Sequence, residues 1–445
     1  MTTDTVPAIL RPGATWRNWS RVESVRPVFA ARPSTVDEVV EVVRFGRDRG
    51  LTVKTVGAGH SFAAIAAAPG IQLDVSAIDG LLGVDTTRAR VTIGAGTNLH
   101  QLPPLLAPLG LALENMGDID RQTIAGATST GTHGTGARFG GLATQIVAVT
   151  LVTADGAVLR ISETENSELL PAARLGLGAL GVLVDVTLQC VPAFLLDAIE
   201  RPTGFEELLD GFEQRATSVD HFEFYWWPHT DSVMTKSNSR LPGDAVREPI
   251  GAISGWLEDR VMSNTLLALV CNIGRIAPAL TPPINRLATR VYGNRSYSDY
   301  PHEVFVSPRT TRFREMEYAI PRGAIPDALR DIRRLIDSRG WRISFPIEVR
   351  VAAADDNWLS TAQGRESGYI AVHRYFRDDH EEYFRAVEQV LRAYRGRPHW
   401  GKIHYRDAAS LAEVYPHLGD FLGARDRLDP DRLFTNPYLD RVLGP

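Results

Sequence analysis

The run Gly57-Ala58-Gly59-His60-Ser61 follows a β-like segment, Leu51 to Val56, in this chain of 445 residues. Two closely spaced glycines let a backbone come near a ligand, and consecutive amide N–H groups can cradle an anion such as a pyrophosphate. A Rossmann loop needs a third glycine, in the spacing G-x-G-x-x-G, with a helix after it. Here the third glycine is missing and Ala63–Pro69 carries no helical pattern, so the loop reads as a phosphate cradle of another kind. His60 stands at its end. Its imidazole is either a hydrogen-bonded loop group or a nucleophile that attaches a cofactor methyl group, since imidazole titrates close to cytoplasmic pH.

A second constellation lies in Ile347-Glu348-Val349-Arg350. Strand alternation puts Glu348 and Arg350 on one face and sends Ile347 and Val349 to a core. The pair is an exposed ion-pair ladder or a ligand-binding acid and base. Lys402 belongs to His399-Trp400-Gly401-Lys402, a loop after a helix, and would ordinarily be a solvated lysine. Of 48 basic residues, however, only Lys54, Lys236 and Lys402 are lysines. Such a skew exchanges Lys for Arg wherever either serves, so a lysine that survives hints at a need for an ammonium. His373, in Ile370-Ala371-Val372-His373, is a site candidate or a satisfied core histidine. The eleven histidines show no HExxH pattern, and His399 with His404 lacks carboxylate or cysteine partners at ligand spacing, so no metal site is indicated.

These groups need elements to hold them. A helix is expected from Ser34 to Gly50, with Thr35 and Glu38 as a capping box and Val36, Val39, Val40 and Val43 at helical spacing. Strands are expected at Ile71–Val75, Leu82–Val84, Val91–Gly94, Ile146–Thr153, Val158–Ser162 and Leu183–Val191, with a helix over about Thr97–Leu109. The segment from Gly126 to Gly136 is dominated by Gly, Thr and Ser and reads as an ordered loop. Beyond Pro192 longer helical patterns appear at Phe205–Ala216, Ile325–Arg339, Glu381–Arg395 and Ala408–Arg427. Between them lie strand candidates His221–Trp227, Ile343–Val351 and Tyr369–Phe376. That alternation indicates a second α+β domain.

Bulk properties exclude several classes. Hydrophobic residues make up 44% and charged residues 23%, the balance of a soluble globular protein. A net charge of −5 and a pI near 6.1 give no support to a nucleic-acid surface. Cys190 and Cys271 form neither a disulfide framework nor a metal site. The start, MTTDTVPAILRPG, lacks the basic and apolar regions of a signal peptide, and the apolar run Leu266–Val270 is too short to span a bilayer. A cytoplasmic protein is expected, with peripheral membrane contact left open.

Five motifs in order, VGAGHSF, LENMGDIDRQTIAGATSTGTHGTG, EMEYAIP, FPIEVR and HWGKIHY, resemble the aldonolactone oxidoreductases. That family includes D-arabinono-1,4-lactone oxidases and L-gulono-1,4-lactone oxidases and dehydrogenases, within the vanillyl-alcohol-oxidase-like flavoproteins. The resemblance runs from about Trp19 to Pro445. It implies an α+β chain: a two-subdomain FAD-binding domain of the vanillyl-alcohol-oxidase type over 15–192, a C-terminal α+β cap, or substrate, domain over 193–425, and a return to the FAD domain over 426–445. It also implies FAD bonded through its 8α-methyl to His60. Gly57, Ala58, Gly59 and Ser61 would complete that loop, and Gly126, Thr130, Thr132, His133, Gly134 and Thr135 would line the pyrophosphate and ribityl chain. Gly181 and Val182 would meet the flavin or adenine end through their backbone.

In the family Glu348 and Arg350 would bind substrate beside the flavin. Arg350 would hydrogen-bond lactone oxygens and stabilise developing negative charge, while Glu348 orients it or holds a hydroxyl. Lys402 would stand near the flavin N1–C2 edge, with His373 a weaker member of the site. Gly117 matches a position where a small residue leaves oxygen access to the flavin, although a glycine needed for a positive-φ turn is the commoner role. The implied reaction is oxidation of a sugar lactone, or of a polyol in the alditol-oxidising relatives, with O2 or a cytochrome or quinone as electron acceptor. A nucleotide-sugar reductase and a non-enzymatic flavin binder are the further alternatives.

Overall fold

The computed structural model describes residues 6–251, 267–291, 293–307 and 310–445. Thr35 and Glu38 close their capping box, and helix Val36–Asp48 buries Val39, Val42 and Val43. It packs with a sheet ordered Arg11–Pro12, Phe29–Ala31, Ile71–Asp74, Val53–Val56, whose last three strands run parallel. A second, antiparallel sheet is ordered Val158–Ser162, Ile146–Val152, Val182–Gln189, Arg90–Gly94, Leu81–Asp85. The two share one hydrophobic core, which Trp400, Leu411, Phe421, Phe434 and Leu439 also enter. The C-terminal segment is fastened there: Asn436 Nδ2 donates to the carbonyls of Ala64, Ile65 and Ala67, and Val53 N–H donates to Leu433 O at 2.8 Å.

The third sheet has eight strands among the described residues: β1 Phe194–Gly204, β2 His221–Trp226, β3 Ser232–Pro242, β4 Arg295–Asp299, β5 Phe313–Pro321, β6 Ile347–Ala352, β7 Ser367–Tyr375 and β8 Arg397–Pro398. Their spatial order is β4-β1-β3-β2-β6-β7-β5-β8. Helices Phe205–Asp210, Phe212–Ser218, Ile325–Arg339 and Glu381–Ala393 cover one face, where Phe222, Phe224, Met316, Tyr318, Ile347, Val349 and Val372 are buried. Alternation therefore sends Glu223, Tyr225, Glu315, Glu317, Glu348, Arg350 and His373 to the other face. The chain is α+β.

Three expectations need correction. Within Gly126–Gly136 the chain is not all loop: Ile124–Thr130 is a helix. Thr123 caps it by accepting from Gly126 N–H, Thr128 and Thr130 hydroxyls donate to carbonyls one turn back, and Gly131 ends it at φ +83°. Burial of Ile124, Ala127 and Thr128 outweighs the poor helix propensity of Gly and Thr. The Phe205–Ala216 pattern divides at Gly211, and Ala408–Arg427 divides into Ala408–Ala412 and Leu418–Leu428. Strands β1, β3, β4 and β5 are absent from the expected set; in β3 and β4 polar residues dominate and leave no periodic apolar signal. Of the apolar run 266–270, Leu266 lies outside the described residues and the rest opens helix Leu267–Ile276. No helix among the described residues is long and apolar enough to cross a membrane.

Candidate active site

The polar face of the eight-stranded sheet and the glycine-rich loops of the first half enclose a cavity of about 1000 Å³. A narrow channel opens beside it, lined by Gly57–Ser61, Thr123, Gly126, Ser129, Thr130, Gly178 and Gly181. His60, Ser61, Gln122 and Thr130 line both, so the GHS loop marks the junction. The glycines are needed for space. A Cβ on Gly57 would stand 2.5 Å from Thr123 Oγ1, and Gly59 adopts φ +70° against Trp16. An elongated ligand fits this layout, with its thin part in the channel and a planar end in the cavity.

His60 lies on Trp19, with ring centroids 5.9 Å apart and planes 24° from parallel. Asn18 Nδ2 donates to Ser61 O at 2.9 Å, and Trp19 N–H to Gly59 O at 2.8 Å. Burial lowers the His60 pKa, and the Lys402 cation lowers it further. The imidazole is thereby kept neutral and nucleophilic.

The GHS loop is joined to the HWGK loop by Phe62 N–H donating to Gly401 O at 2.6 Å. That second loop follows β8, not a helix, and β5 anchors it: His399 N–H donates to Glu317 O and Ile403 N–H to Glu315 O, both at 3.0 Å. Lys402 is consequently no surface lysine; its side chain is 22% exposed and its ammonium lies 2.5 Å from Glu315 Oε2. Burial alone would lower the Lys402 pKa, but the Glu315 and Glu317 carboxylates reverse the effect and raise it. Glu315 and Glu317 are both lowered, burial being overcome by Lys402 and His373 at Glu315 and by His133 and Lys402 at Glu317.

Glu348 and Arg350 are each 8% exposed, so the exposed-ladder reading fails. Arg350 is gripped on several sides. Its Nε donates to Glu223 Oε2 at 3.0 Å, Nη2 pairs with Glu348, and Asp118 Oδ2 lies 3.4 Å from Nη2. Burial opposes its charge, yet Glu348, Asp118 and Glu223 raise its pKa well above the usual value. His373 completes the wall, its Nδ1 within 3.0 Å of Pro346 O and its Nε2 3.6 Å from Glu315.

Several candidates stand apart. Gly134 packs against Asn115 and Met116, where a Cβ would meet Met116 O at 2.4 Å. Thr135 bridges sheet strands, its hydroxyl donating to Phe222 O and accepting Val351 N–H. Val182 is a buried core residue, leaving Gly181 and Leu183 at the channel. Gly117, Thr132 and His133 line the cavity.

Sequence reasoning missed Glu315, Glu317, Glu223 and Asp118 as site residues. The available signal was alternation in Phe313-Arg314-Glu315-Met316-Glu317-Tyr318, the same pattern that singles out Glu348 and Arg350. It also missed that His133, Glu317 and His399 bring ligand atoms within 4.8 Å of one another. His399 Nδ1 accepts Gly401 N–H at 3.0 Å, so the ring proton sits on Nε2 and removes that lone pair from metal binding. Burial and the nearby Lys402 and His133 lower His399 to about 3, keeping it neutral.

Comparison with known proteins agrees with this geometry. A family model described as D-arabinono-1,4-lactone oxidase matches residues 186–442, and one described as FAD binding domain matches 27–162. The L-gulono-1,4-lactone dehydrogenase of Mycobacterium tuberculosis is 43% identical over 432 residues, covering 97% of this chain and 99% of that protein. The L-gulonolactone oxidase of Bos taurus is 34% identical over 438 residues, covering 97% and 98%. Among solved structures, a cholesterol oxidase from B. sterolicum superposes with a TM-score of 0.83 at 18% identity, covering 100% and 99%. That last likeness concerns the fold alone.

The Lys402–Glu315 contact is directly testable. Lys402→Met strands two buried carboxylates and should cost about 3 kcal/mol of unfolding free energy. Combining it with Glu315→Gln should recover part of that loss. Chemical unfolding of the two single variants and the double variant measures the coupling, and strict additivity would show that the pair does not interact.

Proposed function

The chain belongs to the D-arabinono-1,4-lactone oxidase family of FAD-dependent oxidoreductases, and from that premise we propose that it oxidises an aldono-1,4-lactone of the L-gulono, L-galactono or D-arabinono type. The observation that carries the proposal is the buried Glu348–Arg350 pair facing the same cavity as His60 and Lys402. Residues 15–192 are assigned to the cofactor, 193–425 to the substrate, and 426–445 to the return. His60, neutral and stacked on Trp19 at the channel mouth, is the residue that would hold the flavin, through its ring nitrogen. Gly57–Ser61, Gly126 and Gly181 border the channel that takes the dinucleotide.

Bound FAD supplies a two-electron acceptor for the hydride of a carbinol carbon. Arg350 would hydrogen-bond the lactone oxygens and offset negative charge that develops on them in the transition state. Glu348 holds the guanidinium and accepts a substrate hydroxyl. Lys402 maintains a fixed positive charge on the cavity wall, which favours reduction of the bound ring. His373 steadies Glu315, and thereby Lys402, from the adjacent strand. O2, giving hydrogen peroxide, or a cytochrome or quinone would serve as the electron acceptor.

Three outcomes check this reading. His60→Ala should still fold, because the loop is held by backbone contacts, but acid denaturation should then release its flavin, whereas wild-type flavin stays with the polypeptide. Free flavin from denatured wild type would refute the covalent bond.

Arg350→Lys keeps the charge and loses the planar fork. It should lower kcat/KM for the lactone on the order of 100-fold. Anaerobic flavin bleaching by L-gulono-1,4-lactone, faster than by xylitol, is the accompanying expectation; faster bleaching by xylitol would assign the enzyme to alditols.

Gly117 is not among the positive-φ glycines, so the turn reading falls away. A Cβ there would stand 3.1 Å from both His133 O and Thr132 Cγ2, at the cavity wall. Gly117→Ala should slow reoxidation by O2 in stopped flow while leaving reduction by substrate unchanged. Equal reoxidation rates would reject a role in oxygen access.

A further inference from the structure

The helix Pro437–Leu443, near the C-terminus, reaches both loops that meet at the cavity. Asn436, its N-cap, accepts Leu439 N–H through Oδ1 at 2.9 Å. Its Nδ2 donates to the carbonyls of Ala64, Ile65 and Ala67, just beyond the GHS loop. Tyr438, in the first turn, reaches the HWGK loop instead. Its hydroxyl donates to Trp400 O at 3.0 Å and lies 2.8 Å from His404 Nε2. Those two partners flank Lys402 on either side in the chain.

A carbonyl only accepts, so the single phenolic hydrogen goes to Trp400, and His404 donates its Nε2 proton to the Tyr438 oxygen. Burial, then the Arg441 charge, hold the His404 pKa well below its ordinary value, so the ring is a neutral donor. Its Nδ1 is buried and makes no hydrogen bond, which leaves the Tyr438 contact to orient the ring. Trp400 is fixed as well by its indole Nε1, which donates to Leu359 O at 2.7 Å. Trp400, His404 and Tyr438 are all buried. One phenol oxygen therefore closes the turn that carries Lys402.

We propose that Tyr438 is a positioning residue for Lys402, setting from the C-terminal helix where the ammonium stands on the cavity wall. β5 holds the His399 and Ile403 amides of the loop, whereas Tyr438 holds the Trp400 carbonyl and the His404 ring. A lysine stem is flexible, so its ammonium is placed only as well as the backbone that bears it. Without the phenol oxygen, the Trp400 carbonyl and the His404 Nε2–H both lose a partner in a buried setting. The turn then shifts to satisfy them, and Lys402 moves with it.

The inference rests on Lys402 acting as a fixed positive charge beside bound flavin, and a double-mutant cycle separates the two. Tyr438→Phe, Lys402→Met and the double variant are prepared as holoenzymes. The flavin potential and the rate of anaerobic reduction by L-gulono-1,4-lactone are measured. Lys402→Met should lower the potential and slow reduction. Tyr438→Phe should shift both in the same direction, slowing reduction about tenfold. On the Lys402→Met background it should cost less than about twofold and leave the potential unmoved, because the group it positions is already gone. A purely structural tyrosine would lower stability, keep the wild-type potential and multiply any rate loss onto Lys402→Met; that result overturns the proposal. A Lys402→Met with wild-type potential and rate overturns the role of Lys402 and this inference with it. If either variant yields no holoenzyme, His404 decides alone. His404→Leu should lower the potential, and His404→Gln, which can still donate to Tyr438, should restore it; equal potentials in those two variants overturn the proposal.

Discussion

Charges largely withdrawn from solvent on the polar face of a β-sheet must be compensated where they stand, because an unpaired carboxylate there costs several kcal/mol. The cavity face carries Glu223, Glu315, Glu317 and Glu348, with Asp118 reaching over from the first half of the chain. Two cations answer them. Arg350 takes Glu223, Glu348 and Asp118, while Lys402 takes Glu315 and is drawn by Glu317. Most of the architecture can be understood as what holds those two in place. Alternation along β2, β5 and β6 delivers the four glutamates and Arg350 from backbone geometry alone. Lys402 is not on a strand, so its loop is clamped at both ends to carbonyls of the same two glutamates it faces.

That clamp couples the two halves of the molecule. Gly401 accepts the amide of Phe62, just beyond His60, so the loops that carry Lys402 and the histidine are tied directly to each other. A second seam runs through residues 133–139. Thr135 hydroxyl bridges β2 and β6, Gly136 N–H donates to Val351 O at 2.9 Å, and Ala353 N–H donates to Phe139 O at 3.0 Å. Each hydrogen bond contributes only about 1 kcal/mol net. Their value is geometric: they fix the glycine-lined channel against the polar sheet face. Thr135 and Gly134 thus belong to the scaffold of the site more than to its lining.

The legible part of the site follows from short-range rules. Gly57 to Ser61 could be read because glycine spacing and a terminal histidine are local, and Glu348 with Arg350 because strand alternation is local. Glu315 and Glu317 obey the same alternation, yet their strand is flanked by no glycine-rich turn that would mark it, and an isolated acid pair resembles a solvated edge. Helix Ile124–Thr130 was hidden for a different reason: its stability comes from burial of Ile124, Ala127 and Thr128 and from threonine hydroxyls returning to the backbone, neither of which composition reveals. The union of His133, Glu317 and His399 joins residues from three elements far apart in the chain. No spacing rule could have found it.

The lysines carry the compositional argument to its end. In a chain that otherwise uses arginine, all three are inside: Lys54 is 2% exposed, Lys236 9%, and the Lys402 side chain 22%. Each performs a task suited to a compact ammonium rather than a planar fork. Lys54 donates to the carbonyls of Leu177 and Gly178, both at 2.9 Å, and so holds a turn in which both residues have positive φ beside the glycine-lined channel. Burial, then the Arg425 charge, lower its pKa to about 7, whereas the acids around Lys236 and Lys402 raise theirs. The same side chain therefore serves as a near-neutral donor to backbone in one place and as a permanent charge in two others. A guanidinium would remain charged in all three and, with five donors, would leave some unsatisfied in a space that offers two carbonyls.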